Sequence, residues 1–86
     1  MKFLDAFLTD LGEPGRALPL VELCWNSRAL IEHQLGVTEY GQERICVRVK
    51  HGQISIRGKN LRLGQMNGEK LVILGKIEEV GLEERE

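Results

Sequence analysis

Residues 44–63, RICVRVKHGQISIRGKNLRL, decide the fold class of this chain. Apolar side chains alternate with polar ones from Ile45 to Val49 and again from Ile54 to Ile56. A period of two places successive side chains on opposite faces, which is the pattern of half-buried β-strands. Single glycines interrupt the alternation and indicate turns, bulges or bends. The stretch therefore predicts short antiparallel strands joined by tight turns.

The same pattern continues after a turn-forming Asn67-Gly68 pair, in the stretch EKLVILGKIEEVGL at residues 69–82. Four apolar residues in a row, from Leu71 to Leu74, make this strand apolar on both faces. Val72 and Leu74 should point outward, where a helix, a second sheet layer or another subunit must cover them. They are our first candidate interface residues.

Upstream of this region, Leu18-Pro19 opens a run in which Val21, Leu23 and Trp25 are expected to share one strand face. The following Asn26-Ser27 pair predicts a turn. A further strand is expected from Ala29 to Leu35, with Ala29, Ile31, His33 and Leu35 on one face. A bend at Gly36 then leads into another short strand over residues 37–40.

The first twelve residues carry a different signature, because their apolar side chains recur at helical spacing. These side chains are Phe3, Leu4, Phe7, Leu8 and Leu11. They predict a short amphipathic helix over residues 1–12, which a Gly/Pro-containing linker at 13–17 separates from a β-domain at 18–83 and acidic residues 84–86. A helix this short must dock to persist. It could cap an open face or end of its own sheet, bind a partner protein or lie on a membrane surface.

Length and composition bound the class of protein. The chain has 86 residues, 42% of them hydrophobic and 29% charged, which is typical of one small folded domain. Such a domain buries a modest fraction of its surface, so self-association is expected to add burial. Neither an apolar run long enough to cross a membrane nor a secretory signal is apparent, which predicts a cytoplasmic protein without direct membrane insertion.

The residues offer little basis for catalysis. His33 and His51 are isolated, and with Cys24 and Cys46 they lack the spacing of a metal site. The two cysteines form neither a disulfide framework nor a CxxC motif, and the glycines do not form a phosphate-binding loop. We therefore expect no enzymatic activity, no cofactor and no metal. We expect His33 to be partly buried and hydrogen-bonded, and His51 to be solvated.

The charge is unevenly distributed, although the net charge is only −1. A basic face is expected from Arg44, Arg48, Arg57 and Arg62, while glutamates dominate the residues after Ile77. Nucleic-acid-binding sheets usually interleave aromatic residues for stacking, and none follows Gly41, so nucleic acid is disfavoured. The face remains open to two interpretations: an ordinary solvated surface, or a site for an acidic partner such as the chain's own glutamates or those of a second subunit.

The order of these segments resembles the YabP/YqfC family of sporulation proteins, and is closer to its YqfC branch. The segments that carry the resemblance are Leu18-Pro19, Ala29-Leu30-Ile31-Glu32-His33, Gly36-Val37, Glu39-Tyr40, Arg44-Ile45, Gly52-Gln53-Ile54-Ser55-Ile56, Gly58-Lys59-Asn60-Leu61, Glu69-Lys70-Leu71-Val72-Ile73 and Gly75-Lys76-Ile77. Trp25-Asn26 departs from the family, which usually carries a glycine near this turn. His33-Gln34 also departs, because an asparagine-histidine pair is common there. The resemblance implies a role in endospore formation in the mother-cell cytoplasm, with a sporulation membrane protein as partner and no catalytic residues.

Together these observations predict a mainly β, small antiparallel domain of seven or eight short strands with an N-terminal helix. The predicted function is non-enzymatic protein interaction in endospore formation, as a homodimer or larger homo-oligomer. The candidate interface residues are Phe3, Phe7, Leu11, Trp25, Val72 and Leu74. The alternative is a small-ligand or nucleic-acid binding module that uses the basic face.

Overall fold

A computed structural model describes residues 18–85 of the chain as a single antiparallel β-sheet. Its six strands are β1 (Leu20–Cys24), β2 (Arg28–Glu32), β3 (Gln34–Tyr40), β4 (Arg44–Val49), β5 (Gly52–Asn67) and β6 (Lys70–Glu84). The helix and linker predicted within residues 1–17, with Phe3, Phe7 and Leu11, lie outside the described residues. The mainly β, antiparallel fold class is confirmed.

The sheet is organised around one long hairpin, formed by β5 and β6. The strand order is β1-β2-β6-β5-β4-β3, and every neighbouring pair is antiparallel. Along β6, pairing with β2 is confined to the start of the strand, at Leu71–Leu74. Along β5, pairing with β4 is confined to the start of that strand, at Gly52–Arg57. Since the start of one hairpin strand lies beside the end of the other, the β1–β2 and β3–β4 pairs flank opposite ends of the hairpin.

The hairpin bends at its middle, where its register shifts between Lys59 and Arg62. Asn60 and Gly75 both have positive φ there, at 54° and 129°. A side chain on Gly58 would overlap the carbonyl oxygen of Lys76 on the facing strand. Glycine is therefore required at this position, where the facing backbone leaves no room for a side chain, and it allows the strand to bend without ending.

The bend brings both ends of the hairpin around one hydrophobic core. Side chains from the two ends form a single buried cluster, including Ala29, Ile31, Leu71 and Ile73 from one end and Ile45, Val47, Ile54 and Ile56 from the other. A backbone hydrogen bond from Gln34 N to Glu69 O, at 3.0 Å, joins the start of β3 to the hairpin turn. The alternation of β4 and β5 thus supplies one part of this core, as the sequence predicts.

The strand number differs from the predicted seven or eight, because six strands account for the described residues. The glycines at 58, 64 and 75 lie inside β5 and β6 as bulges and bends instead of ending short strands. The Asn67-Gly68 turn is confirmed: β5 ends at Asn67, Gly68 has φ 61°, and β6 begins two residues later.

The predicted strand over residues 29–35 is also corrected. His33, with φ 64°, ends β2, and β3 begins at Gln34 and continues through Gly36. This residue resets the alternation, so Gln34 is buried while Leu35 is exposed. Ala29 and Ile31 do share the buried face, but His33 and Leu35 do not continue it.

Within residues 18–85, no helix is long and apolar enough to span a membrane.

Candidate interaction surfaces

An apolar patch lies on the outer face of the sheet, where β2 and β6 meet. Leu30 lies directly opposite Val72, and Leu74 follows on the same face of β6; we call these three residues the outer patch. All three are half-buried, whereas Leu71 and Ile73 between them are fully buried in the core. Val72 and Leu74 therefore point outward, as the alternation predicts.

Neighbouring residues cover part of the outer patch and leave the rest open. Opposite its β6 side chains lies Gly64, and a side chain there would come within 2.8 Å of Leu74 Cδ1. On the β1 side, Glu22, Cys24 and Arg28 border a shallow depression of about 440 Å³ that Leu30 and Val72 also line. The patch is thus an apolar surface with a polar rim, the arrangement of many protein interfaces.

Trp25 lies in the turn that follows β1, directly after Cys24, which borders the depression. It is 85% exposed and has φ 45°, in the left-handed region that favours glycine. The turn holds it there: Ser27 N donates to Cys24 O at 3.1 Å, and Ile77 N donates to Asn26 O at 2.7 Å. The expectation that Trp25 continues the strand face of Val21 and Leu23 is wrong, because β1 ends at Cys24 and Trp25 lies in the turn with a left-handed backbone.

A second apolar surface lies on the other side of β1. It is a groove of about 680 Å³ between β1, the β4–β5 turn and the end of β6. Leu18 and Leu23 lie on its β1 side and Leu82 on its β6 side, and all three are exposed. Val49 and Ile54 connect the groove to the hydrophobic core.

Glutamates divide the predicted basic face. Arg44 donates to Glu39 Oε1 at 3.0 Å and lies 3.7 Å from Glu83 Oε2, while Arg57 lies 3.9 Å from a carboxylate oxygen of Glu79. The chain's own glutamates on β3 and β6 are thus the acidic groups beside these arginines. These side chains are substantially exposed, so each pair contributes less than about 1 kcal/mol.

The four arginines are distributed over β4 and β5. Arg57 lies directly opposite Arg44 on the neighbouring strand, whereas Arg62 follows on the same strand as Arg57, beyond the bend. Arg62 faces Leu74 beside the outer patch, and Arg48 pairs with Gln53 near the β4–β5 turn. The face as a whole is of mixed charge.

Cys46 lies beneath the ion pairs of this face. It is buried, and its thiol lies 3.8 Å from Glu39 Oε1. Burial raises the pKa of the Cys46 thiol, and the charges of Glu39 and Glu83 raise it further against the opposing effect of Arg44. A protonated, inaccessible thiol is a poor nucleophile. Cys24 is also free, but it is exposed on β1.

Both histidines occupy strand ends with positive φ. His33 is partly buried and donates from Nδ1 to Glu69 Oε1 at 3.0 Å, as expected. His51 is exposed in the β4–β5 turn, also as expected. No cluster of His, Cys, Asp or Glu that could hold a metal ion occurs among residues 18–85.

The groove was not predicted from the sequence. Leu82 continues the alternating pattern that places Val80 inward, which is the pattern of a core residue, yet it is 76% exposed. Leu23 faces the same side as buried Ala29 and is 52% exposed. The sequence feature that could have indicated the groove is the presence of apolar residues near both ends of the β-domain. The alternating pattern does not show which of these residues the folded domain leaves exposed.

The sequence model of the YabP family matches residues 21–86. The match includes all six strands except the first residue of β1. No curated protein and no solved structure matches the chain.

Proposed function

The chain belongs to the YabP family, and from that premise we propose that it is a non-enzymatic interaction protein of endospore formation. It acts in the mother-cell cytoplasm, self-associates through the outer patch, and binds a sporulation membrane protein with Trp25. Family membership is consistent with the sporulation role. The resemblance to the YqfC branch supports the choice of a membrane protein as partner.

The conformation of Trp25 is the observation that carries the proposal. A large aromatic residue at the tip of a turn gains almost nothing from the fold when 85% of it is exposed. Its left-handed backbone costs roughly 1–2 kcal/mol that glycine would avoid. Tryptophan is also the residue type most enriched at the energetic centres of interfaces. Contact of the Trp25 indole with a partner would account for both features, the unfavourable backbone conformation and the exposed aromatic side chain.

The outer patch supports self-association. Leu30, Val72 and Leu74 form an apolar surface, and the rim supplies Glu22 and Arg28 as opposite charges. A two-fold dimer presents the same surface on both subunits, so each glutamate can approach the other subunit's arginine. The burial of Cys46, which also raises the pKa of its thiol, makes this residue a poor nucleophile, in keeping with the non-enzymatic part of the proposal.

Self-association is tested with the double variant Val72→Lys with Leu74→Glu, measured by light scattering over a range of protein concentrations. We expect wild type to form a dimer or larger oligomer and the variant to be monomeric, since charge replaces the apolar patch. Lys59→Glu, an exposed change elsewhere on β5, serves as the control and should associate like wild type. A wild type that is monomeric at every concentration contradicts this part of the proposal.

Because Val72 and Leu74 are half-buried, the double variant must retain a cooperative thermal transition before its mass is interpreted. Leu30→Glu provides a second disruption from the neighbouring strand. A folded variant of either kind that still associates like wild type would exclude the outer patch as the interface.

Partner binding is tested by capture from detergent-solubilised membranes of sporulating cells. Wild-type chain should retain a membrane protein that Trp25→Gly does not. Equal recovery of that protein by both would remove Trp25 from the interface.

A further inference from the structure

We propose that the groove beside β1 is the binding site of the chain's own residues 1–12, which occupy it in cis. This inference is independent of the proposed function, because the groove and the outer patch lie on opposite sides of β1. Three features support residues 1–12 as the segment that binds there: the chain connectivity, the apolar pattern of the segment and the chemistry of the groove.

Chain connectivity places the segment at the groove. Leu18 both lines the groove and directly follows residues 1–17, so the preceding chain emerges at the groove itself. Leu11, the last apolar residue of the helical stripe, is seven residues before Leu18, and an extended chain of that length spans up to about 23 Å. Gly12, Pro14 and Gly15 favour a reversal between the two.

The segment also has the chemistry that the groove requires. Leucines on β1 and β6 present apolar side chains from two walls, with Val49 and Ile54 between them. A stripe of two phenylalanines and three leucines at helical spacing supplies a matching apolar face along roughly 13 Å of helix. Such a short helix is marginal in water and persists only when docked.

The covalent tether favours this occupant over a second copy of the chain. A short flexible linker gives a tethered segment an effective concentration on the order of millimolar. A segment from another molecule would have to compete at the bulk concentration of the protein. Docking in cis should therefore not depend on protein concentration.

The test is disulfide trapping in the full chain, on a Cys24→Ser, Cys46→Ala background that retains its thermal transition. Phe7→Cys is combined with Leu82→Cys and oxidised at low protein concentration. We expect a cross-linked monomer, seen as faster migration on a non-reducing gel. Thr9→Cys with Leu82→Cys is the matched control, because Thr9 lies on the opposite side of the predicted helix and should cross-link much less.

Three outcomes would overturn the inference. A disulfide-linked dimer from the Phe7 pair would assign the groove to a second copy. An absence of cross-linking would mean that the segment is elsewhere. Equal trapping of the Phe7 and Thr9 pairs would show a mobile segment without the docked helical face.

A second measurement does not depend on introduced cysteines. Phe7→Asp should lower the midpoint of thermal unfolding below that of Thr9→Asp, by the same amount at every protein concentration. Equal midpoints would contradict docking, and a difference that grows with concentration would indicate docking in trans. The double variant of Val72 and Leu74 should not change either result, so the two proposals can fail separately.

Discussion

Replacing Trp25 by glycine should leave the domain at least as stable as the wild type while removing the side chain proposed to bind a partner. The informative comparison is with Trp25→Ala, since both variants lose the indole and only alanine keeps a Cβ. At φ 45° a residue with a Cβ costs roughly 1–2 kcal/mol relative to its ordinary conformation. Glycine avoids that cost but loses about 0.5–1 kcal/mol more backbone entropy on folding.

The difference between the two variants follows from these opposing terms. Trp25→Gly should be more stable than Trp25→Ala by about 0.5–1 kcal/mol. Loss of the indole itself contributes little to either, because only a small part of the side chain is buried. For a domain of this size, 1 kcal/mol shifts the unfolding midpoint by about 4–8 °C, so a shift of several degrees is expected.

Thermal unfolding followed by circular dichroism measures this shift, and urea unfolding provides an independent free energy. The turn should keep its conformation in both variants, because the hydrogen bonds of Ser27 and Ile77 to this turn involve backbone groups. An alanine variant as stable as the glycine variant would refute the reasoning, since Trp25 would then not be held in the left-handed region. Membrane-protein capture should be lost equally in both variants, which separates binding from stability.

Three further outcomes are expected. Gly58→Ala should lower the free energy of unfolding in urea by about 3 kcal/mol or more, because the added methyl group overlaps a carbonyl oxygen of the facing strand. The control Gly41→Ala, where the nearest atom lies 3.5 Å from the added methyl group, should have little effect. Equal losses in the two variants would argue against the close approach at Gly58. At pH 8 a thiol reagent should modify Cys24 rapidly and Cys46 only after unfolding, because Cys46 is buried and burial raises the pKa of its thiol. Rapid modification of both cysteines would contradict the burial of Cys46. Arg44→Gln should lower the free energy of unfolding by less than about 1 kcal/mol at low salt and by nearly nothing at 1 M salt. A loss of stability that persists at high salt would show that the loss does not come from the ion pairs of Arg44.

The alternation of residues 45–56 predicted β4 and the first half of β5, and Asn67-Gly68 predicted the hairpin turn, because local chemistry determines both. Strand number was not predictable in the same way. An isolated glycine in an alternating pattern is compatible with a turn or with a bulge, and the facing backbone decides between them. At Gly58 that backbone is Lys76, eighteen residues away along the chain.

Positive φ accounts for the local errors. Neither Trp25 nor His33 is a glycine, the residue that usually marks left-handed backbone in a sequence, yet each follows the end of a strand in that conformation. One such residue inside a run of alternating side chains switches the face of the sheet on which each later side chain lies, until the next irregularity. Gln34 therefore became a core residue, and Leu35 became a surface residue.

The surfaces of β1 connect the two proposals physically. β1 has one strand neighbour, β2, and it forms one wall of the groove and one edge of the outer patch. A segment bound in the groove buries the inner side of this edge strand, so it should reduce local opening of β1 and of the turn that carries Trp25. A partner that binds only when β1 and this turn are folded then finds a larger fraction of the protein in the binding-competent conformation. The N-terminal segment can thus increase partner binding at Trp25 without contacting the partner.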